Sequence, residues 1–210
     1  DVLRIDQALR KRTGQSLATG RFRPLPWTLV RETAPEKSVL LRFRIRSEIA
    51  YRGAHLALEY AHLAHLTLNG TPVDAEPDGY YIDRSVSTVP LPELPVGESE
   101  LLIRLGYGNV TSVESHYLLG RFGVENRGAE NVLVPLPEQL FFGSITGQGM
   151  PFYGGNLTYS FCFAGEGRTY LELPKYRGAA VRVSVDGAFA GYIDFPPYRV
   201  FLGKLPAGTH

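Results

Sequence analysis

The chain has 210 residues, with 22 basic and 21 acidic side chains, a formal charge of +1, 44% hydrophobic residues and one Cys. That length suits one large all-β domain or two of about 100 residues, and near-neutrality excludes the clustered Lys and Arg with which a nucleic-acid binder neutralises phosphates. The lone thiol excludes an internal disulfide and a multi-Cys zinc site, and no apolar run approaches the roughly 18 residues of a membrane-spanning helix.

The chain starts at Asp1 without a Met and no signal-type apolar segment follows, so its natural N-terminus is expected upstream and the compartment is left open. Val2, Ile5 and Leu9 recur at spacings of three and four, Arg10, Lys11 and Arg12 follow, and Gly14 stands just beyond. This predicts one short amphipathic helix with cations at its negative end and a glycine stop. Residues 1–37 are taken as this helix and an extended lead-in. From residue 38 the period changes to two: Leu41, Phe43 and Ile45 alternate with Arg42, Arg44 and Arg46, a half-buried strand with a basic outer face.

Leu66-Thr67-Leu68-Asn69-Gly70-Thr71-Pro72-Val73 has the alternation and Asn-Gly turn of a hairpin, and Val181-Arg182-Val183-Ser184-Val185-Asp186-Gly187 repeats it with Asp-Gly. Tyr81-Ile82-Asp83 recurs as Tyr192-Ile193-Asp194, Leu94-Pro95-Val96-Gly97 as Leu205-Pro206-Ala207-Gly208, and the run Leu41 to Ile45 parallels Tyr159 to Phe163. Ordered matches at nearly one offset predict two copies of one β-sandwich unit: a first at 38–124, a connector at 125–149 and a second at 150–210. Ala54 to Leu68 also fits a helical stripe, but its counterpart, Tyr170 to Val185, alternates and contains Pro174 and Gly178, so both are read as pairs of strands. After Gly97 the first copy continues into Glu98 to Leu105, whereas the second stops at His210. The second unit is therefore expected to lack its last strand, to be supplied by a missing C-terminal segment of the parent chain or by a partner chain that completes the sheet.

His55, His62 and His65 invite a zinc reading, but solvent-facing strand histidines are the default. Glycoside hydrolysis needs two carboxyl groups about 5–10 Å apart, and no such pair can be picked from Glu59, Asp74, Glu76, Asp78, Asp83, Glu114, Glu172 and Asp194. Asp83 and Asp194, being duplicated, read as strand-end caps of backbone N–H groups. Cys162, between Phe161 and Phe163, is expected as a buried, inert thiol. Asn69, Asn109 and Asn156 match the glycosylation acceptor pattern, and Asn69 is already accounted for by its turn.

The Leu-Asn-Gly hairpin, the segment Asp78-Gly79-Tyr80-Tyr81-Ile82-Asp83-Arg84 and the Pro-Leu-Pro-Glu-Leu run resemble the jelly-roll, galactose-binding-like domains that accompany bacterial proteins of the glycoside hydrolase family 2 type. The stretch Val113 to Val124 is similar to a connector in such proteins, in which an acidic residue often stands at the position of Arg121; the likeness continues through Tyr153 to Tyr159 and Phe195 to Tyr198. The resemblance implies an all-β chain of two tandem jelly-roll units serving as a carbohydrate-binding or substrate-positioning accessory region. No catalytic motif of that family matches. It implies no obligatory cofactor, with a structural calcium ion as the passenger this fold would take.

A sugar presents apolar C–H faces to aromatic rings and hydroxyls to directional polar groups. The loop aromatics are thus the candidate binders: Trp27 beside Pro24 and Pro26, Tyr80 and Tyr81, Tyr107 between two glycines, Phe152 and Tyr153, and Tyr198 after two prolines. Asp78 joins them because the loop from Pro72 to Gly79 is six residues longer than its counterpart, and a loop that varies on a repeated scaffold is where binding resides. The expected function is non-catalytic carbohydrate binding, with no membrane or nucleic-acid partner. The alternatives are a structural or protein-interaction scaffold and a chain lending residues to an active site completed elsewhere.

Overall fold

The computed structural model describes residues 2–15, 37–108, 111, 113, 116–175 and 177–210. Trp27, Asn109 and Glu114 lie outside the described residues. Among the described residues the structure is all-β apart from helix α1 (Val2–Thr13) and two single 3-10 turns, and the chain divides into a first unit, Asp1–Gly154, and a second, Gly155–His210.

Helix α1 ends where the sequence says it should. Gly14 adopts φ +71°, its N–H donates to the Lys11 carbonyl and that of Gln15 to the Arg10 carbonyl, and Lys37 Nζ donates to the Thr13 carbonyl. This is a glycine-stopped Schellman end with a cation on the last carbonyls. The buried face is not the expected one. Val2 and Ile5 are exposed, whereas Asp6 and Arg10 are each 5% exposed. Arg10 Nε donates to Asp6 Oδ2 at 2.7 Å and Arg10 Nη2 to the Thr111 carbonyl at 3.0 Å. The Tyr107 hydroxyl donates to Asp6 Oδ1 at 2.8 Å, and the guanidinium lies over its ring. Polar groups this satisfied can be buried, and here they, with Leu9 against the core, dock the helix.

The first unit has two sheets. One has the order β4-β3-β7-β1-β10-β9 and the other β5-β6-β2-β8, built from β1 (Lys37–Ser47), β2 (His55–Glu59), β3 (Ala64–Leu68), β4 (Thr71–Val73), β5 (Gly79–Tyr81), β6 (Asp83–Pro90), β7 (Gly97–Tyr107), β8 (His116–Leu119), β9 (Gly123–Arg127) and β10 (Glu130–Val134). The core includes Val39 and Ile45 of β1, Leu56 and Leu58 of β2, Leu66 and Leu68 of β3, Val89 of β6 and Leu101, Ile103 and Leu105 of β7. These are the inward positions of period-two strands. Ala54 to Leu68 forms two strands, as expected. Asn69 (φ 50°) and Gly70 (φ 80°) make the left-handed turn between β3 and β4. The stretch expected as connector, 125–149, is partly sheet: β10 pairs with β1 in parallel, Arg46 opposite Val132, and β9 pairs with β10. Gly123–Val134 therefore belongs to the first sandwich, because the edge of β1 not used by β7 needs a partner.

The second unit contains β11 (Ala164–Glu172), β12 (Val181–Val185), β13 (Ala188–Ile193) and β14 (Arg199–Thr209), arranged as the two-stranded sheets β11-β14 and β12-β13. Asp186 (φ 49°) and Gly187 (φ 80°) repeat the left-handed turn, and β14 pairs antiparallel with β11 as β7 does with β1. Other sequence matches do not superpose in role. Ile193 is 1% exposed on β13, while Ile82 is 83% exposed at φ 63°. Leu94 makes an isolated bridge to Tyr51, whereas Leu205 lies within β14 opposite Gly167, beside a register shift that accommodates Pro206. Tyr159 to Phe163 precedes β11 and is not a strand, so Cys162 is exposed rather than buried. The Phe161 and Phe163 rings face each other at 6.2 Å.

Candidate functional site

Antiparallel register decides which side chains share the outer face of the β5-β6-β2-β8 sheet, since directly opposed residues point the same way. Leu56 and Leu58 face the core, which turns His55, Ala57 and Glu59 outward. Thr88 of β6 and Tyr117 of β8 both stand opposite Ala57, and Gly79 of β5 stands opposite Thr88. A hollow of about 340 Å³ opens here, lined by His55, Asp78, Gly79, Tyr80, Thr88, Leu119 and Gly120. At the same face the rings of Tyr81 and Tyr117 meet at 5.7 Å, tilted by 54°.

A linear polar chain crosses the hollow. The Thr88 hydroxyl donates to Asp78 Oδ1 at 2.7 Å, His55 Nε2 meets Asp78 Oδ2 at 2.8 Å, and His55 Nδ1 faces the Gly53 carbonyl at 3.2 Å. The Asp78 N–H donates to the Thr88 carbonyl, which fixes the loop to β6. The Thr88 hydroxyl, first, and the His55 ring hold the Asp78 carboxyl below its ordinary range, against a smaller opposing effect of desolvation. Asp78 therefore stands as an ionised acceptor with side-chain exposure of 44%.

Two glycines keep the hollow open. A Cβ on Gly79 would lie 3.0 Å from Thr88 Oγ1, and one on Gly120 would lie 2.5 Å from a Phe122 ring carbon and 2.8 Å from Tyr51. Tyr51 in turn packs edge-on against Phe122 at 5.2 Å and accepts the Arg121 N–H through its hydroxyl.

The arrangement limits the chemistry. Asp78 is the one carboxylate lining the hollow, so the paired carboxyl groups of a glycosidase are not assembled there. The carboxylate also sits between imidazole and hydroxyl, so His55 does not contact Thr88 as a base contacts its nucleophile in a hydrolytic triad. The lining presents an ionised acceptor, an imidazole and the Tyr80 phenol.

Of the residues expected to bind, Asp78 and Tyr80 line the hollow, and Tyr81 follows on the same strand with its ring against Tyr117. Tyr107 does not line it: it is 1% exposed, and burial and then the Asp6 carboxylate push its phenol far above the usual range. Its flanking glycines suggested a loop, but it ends β7 and anchors the helix. Phe152 and Tyr153 are exposed near the end of the first unit without lining the hollow, and Tyr198 belongs to the second unit. The three histidines are dispersed: His55 lies on the four-stranded sheet, His65 on the six-stranded one and His62 in a 3-10 turn. Among the described residues no group of three His, Cys, Asp or Glu could hold a metal ion. Asp83 caps the Ser85 N–H at 2.8 Å. Thr88 and Tyr117 were not singled out in the sequence; the register sets them on the two strands flanking Ala57, from where Thr88 reaches Asp78.

Comparison with protein-family models, with curated proteins and with solved structures returned no match.

Proposed function

We propose that the chain is a non-catalytic carbohydrate-binding module, and that it binds neutral sugars on the outer face of the β5-β6-β2-β8 sheet. The observation that carries this reading is the hollow itself, with the Tyr80 phenol and the Asp78 carboxylate held by Thr88 and His55 in its lining, and the Tyr81 and Tyr117 ring pair on the same sheet. Sugar C–H groups lie on phenol rings while the free lone pairs of Asp78 accept sugar hydroxyl protons, a charge-assisted bond stronger than a neutral one. An open hollow of this size holds one or two sugar rings, and affinity is expected near a Kd of about 1 mM, worth about 4 kcal/mol. The resemblance to accessory domains of the glycoside hydrolase family 2 type points to the same class of ligand.

The test is titration of the isotope-labelled full chain with a panel of neutral oligosaccharides, followed by amide shifts. At least one sugar should shift Asp78, Tyr81 and Tyr117 together, and Tyr117→Ala should abolish the effect without loss of the fold. Absence of any shift at 10-fold above about 1 mM would favour the scaffold alternative.

A further inference from the structure

The exposed arginines of the two units are handled differently. In the first unit Arg42, Arg46, Arg52 and Arg127 each pair with a glutamate. In the second, Arg168 lies over Phe201 at 5.1 Å, Arg199 over Tyr170 at 5.2 Å and Arg182 over Phe189 at 5.1 Å. The ion pairs formed among the described residues include none of these three guanidiniums. Glu172 stands opposite Arg199 in the β11-β14 register, yet no ion pair forms.

Tyr170 and Phe201 are opposed across β11 and β14, both exposed, with rings 5.0 Å apart. The four side chains thus form a ladder in the order Arg168, Phe201, Tyr170, Arg199. Arg168 Nη2 also donates to the Tyr170 hydroxyl at 3.2 Å. A guanidinium laid on a ring is held flat, with its remaining N–H groups free at the rim, and a planar fork held in advance loses little entropy when it takes a carboxylate. Six basic residues against four acidic ones give the second unit a cationic surplus.

We propose that this face of β11 and β14 binds an acidic polysaccharide, with uronate carboxylates on Arg168 and Arg199 and the sugar's C–H groups against the exposed edges of Tyr170 and Phe201. On this face Arg168, Arg199 and Lys204 outnumber Glu166 and Glu172, and that surplus selects an anion. Each ring already carries a guanidinium, which leaves less π face for a nucleobase, and an acidic peptide would supply carboxylates without the apolar ring faces that the aromatic edges suit. The site lies in the second unit and does not depend on the neutral-sugar reading of the hollow.

The test uses the full chain and three probes of matched length: tetragalacturonate, maltotetraose and tetraglutamate. The Nε–H resonances of Arg168 and Arg199 should shift with tetragalacturonate alone. Arg168→Gln with Arg199→Gln should weaken that binding by about tenfold or more, the loss of two charge-assisted contacts, and Tyr117→Ala should leave it unchanged. Equal shifts with tetraglutamate would mean a general carboxylate surface and overturn the proposal, as would silent Nε–H signals or an unaffected double variant. Should the double variant lose the fold of the second unit, the Nε–H response of the unmodified protein decides.

Discussion

Removal of the Arg10 guanidinium is the sharpest test of how the helix is held. Arg10→Met keeps the aliphatic stem but leaves the Asp6 carboxylate, with 8% side-chain exposure, supported by the Tyr107 hydroxyl alone. It also strips the Thr111 carbonyl of its donor. Breaking a buried ion pair by deleting one partner costs roughly 3–5 kcal/mol, because the remaining charge stays desolvated. Tyr107→Phe removes one hydrogen bond to a charged acceptor and leaves the pair intact, a loss of about 1.5–3 kcal/mol. The double replacement Asp6→Leu with Arg10→Met removes both charges and should cost much less than Arg10→Met, since buried pairs exchanged for apolar side chains are often neutral. For a unit of this size, roughly 2–4 °C of Tm accompanies each kcal/mol, so Arg10→Met should lower Tm by roughly 6–20 °C. Thermal and urea unfolding, with hydrogen exchange on the α1 amides to separate helix detachment from global unfolding, give the three values. A double variant as unstable as Arg10→Met, or an Arg10→Met cost within about 0.5 kcal/mol, would refute the account.

Desolvation lowers the pKa of the half-buried His116, while the Asp186 carboxylate and then the Pro206 carbonyl raise that of His210. The first unit should therefore lose stability as pH falls below about 6.5, and the contribution of His210 should be complete below about 6.5 and lost as pH rises through its raised value. Unit-resolved hydrogen exchange at several pH values should show opposite slopes, and His116→Leu should flatten that of the first unit; parallel slopes would contradict the assignment. Thr88→Val removes the leading cause of the low Asp78 pKa, so a carbon-detected titration should find that carboxyl moving up toward its ordinary range; an unmoved midpoint would show that the hydroxyl bond is unimportant. A Cβ on Gly191, at φ +150°, would lie 2.6 Å from Val200 Cγ2, so Gly191→Ala should destabilise the second unit by about 1–3 kcal/mol, measured by urea unfolding of β13 and β14 amides. Cys162, exposed ahead of β11, should react stoichiometrically with a thiol reagent in the native protein; a requirement for denaturant would contradict its placement.

Local rules wrote much of this molecule into the chain. The glycine stop of α1, the left-handed turns at Asn69-Gly70 and Asp186-Gly187, the alternating strands and the cap at Asp83 each depend on neighbours within a few residues, so spacing reveals them. The loop aromatics were legible as a group, and Asp78 and Tyr80 do share one hollow, with Tyr81 next along the chain against Tyr117. Which long-range partner each segment takes was decided only in three dimensions. The helix buries Asp6 and Arg10 because Tyr107 and Thr111, about a hundred positions away, satisfy them. Tyr107 is lost from the binding set for the same reason. Thr88, which holds Asp78, and Tyr117, which meets Tyr81, share a face because both flank Ala57 across a sheet, a register that no periodicity encodes. The central isoleucine of the repeated tripeptide is exposed at Ile82 and buried at Ile193, since burial depends on what packs above a residue as well as on its own sequence.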